Sequence, residues 1–300
     1  MLLLALLAIS GLLAVMQPQF VAPANLLNVI RQIAINGILA VGVTFVLLTG
    51  GVDLSLGSIV ALAGVVAAGS AQSGGMWPLG LGLLAGVLTG GVCGAVNGLV
   101  ITRARVAPFI VTLGMMTAAR GLALVVSNGR PVSHLDRTFT SMASTTVLGV
   151  PVPVVIFAAV ALAAHLFLKN FRLGRYIYAV GGNEHAARAS GLSVANIKLL
   201  AYTICGLAAG LAGVVLAARI TTGQPNAGVG YELDAITAAV IGGTSLAGGV
   251  GQIHDTVLGV VLIGIINNGL DLLNVPSYYQ LIVKGIIIIA AVCFDRRNLD

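Results

Sequence analysis

A carboxylate set among glycines inside an apolar run is the first chemically suggestive feature of this chain: Gly50-Gly51-Val52-Asp53-Leu54-Ser55-Leu56-Gly57-Ser58. The glycines interrupt a helix, and Asp53 and Ser55 carry the side chains that cap the next one. Within a bilayer the same carboxylate is costly and marks a site enclosed by protein or lined by water. The residues alone leave both readings open. Amides, hydroxyls and charges recur inside apolar stretches at Asn36, Thr44, Asn97, Arg120, Asn267, Asn268, Asp271 and Lys284. Such groups either bond between helices or line a polar route. Arg120 lies about 18 Å into its stretch, at ~1.5 Å per residue, and needs an acceptor or water. Asp271 and Lys284 are expected to pair between adjacent spans, and His254-Asp255 to cap a helix at an interface rather than relay protons.

Other chemistries lack their residues. A phosphate loop needs a Gly-Lys-Ser/Thr run, and the lysines here follow Leu168, Ile197 and Val283. His134, His165 and His185 are scattered without metal-binding spacing, and no nucleophile elbow is present. Cys93, Cys205 and Cys293 stand far apart in apolar runs and read as small buried hydrophobes. Catalytic and metal sites are therefore not expected, and no motif supports a nucleic-acid partner for the +6 charge.

The elements that must position these residues follow from composition. Of 300 residues, 58% are apolar and 8% charged, with a mean hydropathy of +1.06. Soluble domains carry about 25% charged residues, so a water-exposed surface cannot be covered. The apolar runs are long and unbroken rather than alternating, which excludes an outer-membrane barrel. The chain reads as an all-α polytopic protein of the lipid bilayer. A span needs about 20 apolar residues. Ten candidates fit, at 2–17, 26–48, 55–72, 79–101, 108–126, 151–168, 198–218, 232–246, 253–273 and 278–294. The first is short, and Ala22-Pro23-Ala24 loosely fits a signal-peptide cleavage site. No basic residue precedes it, so a retained first helix with a trimmed tail is preferred.

Basic residues set the orientation. Arg103, Arg105, Lys169, Arg172, Arg175, Arg188, Lys198, Arg296 and Arg297 all fall on one side, against chiefly Arg130 and Arg137 on the other. The positive-inside rule then places both termini in the cytoplasm. Five spans precede residue 150 and five follow, so related halves would be inverted repeats. Matching Gly-rich, acidic breaks follow the second and seventh spans, at Thr49–Leu54 and Thr222–Asp234. In several transporters such interruptions hold the binding site.

Two further patterns concern packing and docking. Gly82, Gly86, Gly90, Gly94 and Gly98 recur every four residues, drifting by about 40° per step, and invite another helix to approach closely. Gly206 and Gly210 form a smaller version. The cytoplasmic loop 169–197 contains Asn183-Glu184-His185-Ala186-Ala187-Arg188-Ala189-Ser190-Gly191, which reads as a short helix with Asn183 as N-cap and Gly191 as stop. It is a solvated surface helix or a docking knob.

Several of these motifs together resemble the membrane subunits of monosaccharide ABC importers. The resemblance rests on Gly51–Ser58, Arg172-Leu173-Gly174-Arg175-Tyr176-Ile177-Tyr178-Ala179, Gly181–Glu184, Gly230–Ile236, Gly242–Gly249, Asn267-Asn268-Gly269-Leu270 and Ser277-Tyr278-Tyr279-Gln280, in order over about residues 20–295. It implies a single permease domain, 1–300, moving ribose or a related monosaccharide through a bacterial inner membrane. It further implies a cytoplasmic ABC ATPase that holds ATP and Mg, a periplasmic sugar-binding protein, and a second permease subunit in a homodimer. No cofactor is then expected on this chain. The segment 183–191 resembles the coupling helix, with Asn183, Glu184, Ala187, Arg188 and Gly191 toward the ATPase. His185 departs from the usual Glu-Ala-Ala opening. A neutral sugar calls for amides, hydroxyls and small residues along its route, for which Asn36, Thr44, Asn97, Asn267 and Asn268 are candidates, with Asp53 near a gate. The competing readings are an ion-driven secondary transporter, using Asp53, Glu232, Asp234 and His254-Asp255, and a membrane scaffold that moves nothing.

Overall fold

Where no water reaches the backbone, the helix is the conformation that pairs every peptide group within its own segment. The computed structural model describes residues 2–72 and 79–297, and helices fill most of it. In chain order they are α1 (Leu2–Met16), α2 (Pro23–Leu48), α3 (Leu56–Ser70), α4 (Leu79–Arg103), α5 (Pro108–Val126), α6 (Arg137–Ser144), α7 (Val152–Asn170), α8 (Arg172–Gly182), α9 (Glu184–Ala189), α10 (Val194–Arg219), α11 (Tyr231–Ile241), α12 (Ile253–Leu272) and α13 (Ser277–Arg297). Six of them, α2, α4, α5, α7, α10 and α12, are long and apolar enough to cross a bilayer, while α1, α3 and the described part of α13 are shorter apolar helices.

The expected span at 232–246 needs correction. Its helix covers only Tyr231–Ile241 and ends at Gly242-Gly243. Eleven residues reach about 16 Å, half of a bilayer's hydrocarbon thickness. The segment 127–150 also holds structure that its polarity did not announce. It contains the amphipathic α6, whose Phe139 is buried among Ala67, Ala71, Val214, Ala217 and Ala218. A two-stranded hairpin follows, β1 (Thr146–Val147) with β2 (Val150–Pro151), the only strands among the described residues besides two isolated bridges.

The order of lengths recurs in the two halves. α2 and α10 each have 26 residues, each is followed by a non-helical stretch, and each stretch leads into a short helix, α3 or α11. The packing recurs as well. α2 and α10 meet at the centre, α10 lies against α3 and α4, and α2 lies against α11 and α12. Exchanging the halves maps one set of contacts onto the other.

The α4–α10 contact is the most intimate, and the glycine stripe causes it. A Cβ at Gly90 would strike the backbone of Gly206 and Gly210, one at Gly94 the backbone of Tyr202 and Gly206, and one at Gly98 the backbone of Leu199. Only residues without side chains let two helix backbones come this close.

Loops collect at two opposite ends. At one, Gly249 N–H donates to Leu48 O at 3.0 Å, and Tyr178 Oη donates to Gly251 O at 2.8 Å. At the other, Val132 and Gly223 exchange backbone hydrogen bonds of 2.9 Å, and Asp136 N–H donates to Ala71 O at 2.7 Å. Cys93 and Cys205 are buried free thiols. The Cys293 side chain lies outside the described residues.

Gly90→Val should lower the thermal stability of the purified protein by the cost of a clash that neither backbone can relieve, about 1–3 kcal/mol or more. Gly80→Ala, where a Cβ meets nothing within 4 Å, should leave it unchanged. Melting followed by size-exclusion fluorescence reads the difference.

Candidate functional site

Two interruptions in the helices leave backbone groups inside the protein that other elements must satisfy. The first, 49–55, turns back from the end of α2 into the protein. The N–H groups of Thr49, Gly50 and Gly51 turn back onto α2 carbonyls, while other elements supply two further donors: Gly249 N–H to Leu48 O at the end of α2, and Tyr202 Oη to Val52 O at 3.2 Å. Asp53 is fully enclosed. Its Oδ1 accepts from the Ser55 backbone N–H at 2.9 Å and from Ser55 Oγ at 2.5 Å, and Asn97 Nδ2 donates to that same hydroxyl at 3.0 Å. The expected cap is not formed: Asp53 closes a turn on Ser55 just ahead of α3, and neither side chain accepts from a first-turn N–H of that helix. Asn97 of α4 extends this turn into a three-residue chain across two helices. Asp53 Oδ2 is buried with no hydrogen-bond partner.

The second interruption, 220–230, re-enters the protein from the opposite end. Gly223 lies against Val65 and Ala68, near the end of α3, whereas Gly228 abuts Gly57 near its beginning. Those contacts lie about 16 Å apart along α3, so the segment descends deep between the helices before α11 starts. Gly228, with φ +73° and backbone against the Gly57 carbonyl, admits no side chain. Arg120 of α5 holds this segment: its Nη1 donates to Pro225 O at 2.6 Å and to Ala227 O at 2.7 Å. The acceptor that Arg120 required is thus backbone that the interruption leaves free.

Beyond the break, Asp234 is the hub of a buried cluster. Lys284 Nζ of α13 lies 2.8 Å from its Oδ2, and Asn267 Nδ2 of α12 donates to the same oxygen at 3.2 Å. The expected Asp271–Lys284 pair is not formed. Asp271 instead accepts from Gln280 Nε2 at 2.9 Å. The carboxylate Lys284 reaches is the enclosed one, where low dielectric strengthens the attraction. Sequence adjacency of spans nine and ten pointed to the wrong partner, because α13 packs on α11.

The other polar candidates lie at helix contacts. Asn36 is buried on α2. Thr44 Oγ1 donates to Ala40 O at 2.7 Å and lies 3.1 Å from Thr256 Oγ1, across the α2–α12 contact. Asn268 exchanges two hydrogen bonds with Asn25, of 2.9 and 3.0 Å, tying α12 to the start of α2. Asn25 and Thr256 are partners that no local pattern of residues identifies. His254 Nε2 lies 3.2 Å from Asp255 Oδ1 in the first turn of α12.

The loop 171–193 folds as two short helices. Asn183 caps α9, its Oδ1 accepting from the Ala186 N–H at 2.9 Å. Gly191 ends the turn at φ +83°. Ala187 is buried and fixes α9 on the body of the protein. Glu184 bridges two cations: Lys198 Nζ at 2.6 Å, from α10, and Arg188 Nη2 at 2.9 Å, on the next turn. Lys198 above all, with Arg188, holds the Glu184 carboxyl below its usual range, against partial desolvation. Arg188 projects outward, its side chain 65% exposed. The outer surface of α9 therefore presents charge on a helix anchored from beneath.

Residues 25–292 match the family described as a branched-chain amino acid transport system permease component. The chain belongs to this permease family. It is 47% identical to the ribose import permease protein RbsC of Escherichia coli (strain K12), over 99% of this chain and 93% of that protein. It is 46% identical to RbsC of Bacillus subtilis (strain 168), over 96% and 89%. It is 42% identical to the D-allose transport system permease protein AlsC of Escherichia coli (strain K12), over 92% and 85%. No solved structure matches.

Two outcomes follow for these sites. Lys284→Met should cost about 3–5 kcal/mol by leaving Asp234 as an uncompensated buried charge, and the double replacement with Asp234→Leu should recover much of that loss. Unfolding of the four variants in a double-mutant cycle measures it. For Glu184, a carboxyl held low in the folded state stabilises the loop above its free value of 4.5 and loses that contribution as pH falls through the depressed value. Amide protection across 183–191, corrected for intrinsic exchange, should hold from pH 7 to 5 and decline below 4.5.

Proposed function

We propose that the chain is the membrane-spanning permease subunit of an ATP-driven, binding-protein-dependent importer of ribose or a related monosaccharide. The observation that carries this reading is the 42–47% identity, along nearly the whole chain, to ribose permeases of three bacteria. ATP hydrolysis belongs to a separate cytoplasmic ATPase, consistent with a chain that offers no phosphate loop. A periplasmic protein selects the sugar and delivers it. Two copies of the permease form the conduit in the bacterial inner membrane.

In this reading the two halves are inverted repeats of five segments, with both termini in the cytoplasm. The recurrence of helix lengths and of packing supports the repeat, and the concentration of Lys and Arg at the α8–α9 end supports the orientation. The interruptions 49–55 and 220–230 then enter from opposite faces, as inversion requires. α9 is the coupling helix. Ala187 and the Glu184–Lys198 bridge join it rigidly to α10, so a push from the ATPase on Asn183, Glu184, Arg188 and Gly191 moves a 26-residue helix that touches α2, α3 and α4. Asn36, Thr44, Asp53, Asn97, Asn267 and Asn268 sit on the contacts that such a movement must exchange. Here they are closed on protein partners or enclosed by packing, and they meet the route when those contacts open. Two states with different contacts are what coupling demands.

Reconstituted with its ATPase and binding protein, the chain should take up sugar only when ATP and loaded binding protein are both present. Uptake that survives ATP depletion under a held proton gradient sinks the reading. Glu184→Arg, which puts a third cation where two already converge, should reduce ATPase association and uptake at least tenfold. Co-purification and transport assays report both.

A further inference from the structure

The re-entrant segment exposes polar side chains at a depth where lipid cannot receive them. Asn226 is exposed, and no described hydrogen bond engages its carboxamide. Its position is set on both sides, because Arg120 grips the carbonyls of Pro225 and Ala227. That grip fixes the backbone on both sides of the exposed Asn226. Its depth follows from α3: Gly223 lies beside Ala68 and Gly228 beside Gly57, about 3 and 20 Å from that helix's outer end at ~1.5 Å per residue. Asn226 falls between. An unpaired amide in hydrocarbon costs about 2–7 kcal/mol, and irregular backbone at this depth is tolerated only inside protein or beside water.

The surface beside Asn226 fits a wet passage. Glu232, in the first turn of α11, and Arg120 are both half-exposed. They lie within electrostatic reach of one another without forming an ion pair. On α5 the exposed mid-helix residues mix small side chains, Gly114, Thr117, Ala118 and Gly121, with Leu113 and Leu122, 39% and 51% exposed.

We propose that Asn226 is a sugar-contacting residue of the translocation route, that the route passes beside the tip of segment 220–230, and that Arg120 is the positioning residue that presents it. This rests on the importer reading above. A carboxamide offers both a donor and an acceptor to a hydroxyl. A single such contact suits a neutral monosaccharide that must be recognised in passing and released.

The test uses the complete importer in membrane vesicles, with the native cysteines replaced and single cysteines introduced. A membrane-impermeant methanethiosulfonate reagent should modify Asn226→Cys at least tenfold faster than Leu162→Cys, an exposed position on the apolar α7, and within about tenfold of Leu148→Cys at the hairpin tip. Excess loaded binding protein with ATP should slow the Asn226→Cys reaction at least twofold. In parallel, Asn226→Leu should lower uptake at least tenfold while complex assembly and binding-protein-stimulated ATP hydrolysis persist, and Asn226→Gln should keep at least half. Labelling of Asn226→Cys no faster than Leu162→Cys overturns the proposal, as does normal uptake by Asn226→Leu. Absence of uptake by the wild-type complex sinks the importer reading instead, since the labelling comparison needs no transport.

Discussion

Peptide groups inside a bilayer have no water to turn to, and each one left unpaired costs several kcal/mol. Two interruptions of helix at membrane depth are therefore the most demanding features of this chain, and much of the structure serves to satisfy them. Tyr202 reaches Val52 O, Gly249 reaches Leu48 O, and Arg120 reaches both Pro225 O and Ala227 O. None of these donors belongs to the segment it serves. The interruptions persist because the rest of the protein has been folded around them.

That requirement explains the glycines and the small residues. To bring donors from α10 and α5 onto broken backbone, helices must approach more closely than ordinary side chains permit. The α4–α10 stripe does this at the centre, and Gly57 with Gly228 does it where the second interruption passes the first half-helix. Close packing in turn leaves little give within the bundle. Movement is then expected at the interruptions, where short helices start beside irregular backbone, and a rigid lever joined to a long helix is a suitable way to drive it. α9 has the construction of such a lever, with a buried underside and an ion-paired link to a long helix.

Much of this was legible before any coordinates. Long apolar runs announced most helices, because apolar length and helix length measure the same thing in a membrane. The stripe from Gly82 to Gly98 announced a close neighbour, since glycine at that spacing has few other uses. Asn183 and Gly191 bounded α9 correctly, because caps act on residues adjacent in sequence. The run 232–246 misled, since its composition is apolar enough for a span while Gly242-Gly243 stops the helix at half that length. The Asp271–Lys284 expectation failed for another reason: two charges on neighbouring spans looked like partners, but α13 lies against α11 and carries Lys284 to Asp234.

The amino-acid sequence by itself determined the solvent this protein lives in, where most of its long apolar helices lie, which faces are smooth and where backbone breaks. Those properties depend on residues a few positions apart. Tertiary structure alone decided which carboxylate a buried lysine meets, which carbonyls Arg120 holds, and that Asn226 is exposed while Asn267 is shut in. Such pairings join residues up to 243 positions apart. They depend on the angle and depth at which helices dock, and no local pattern records either.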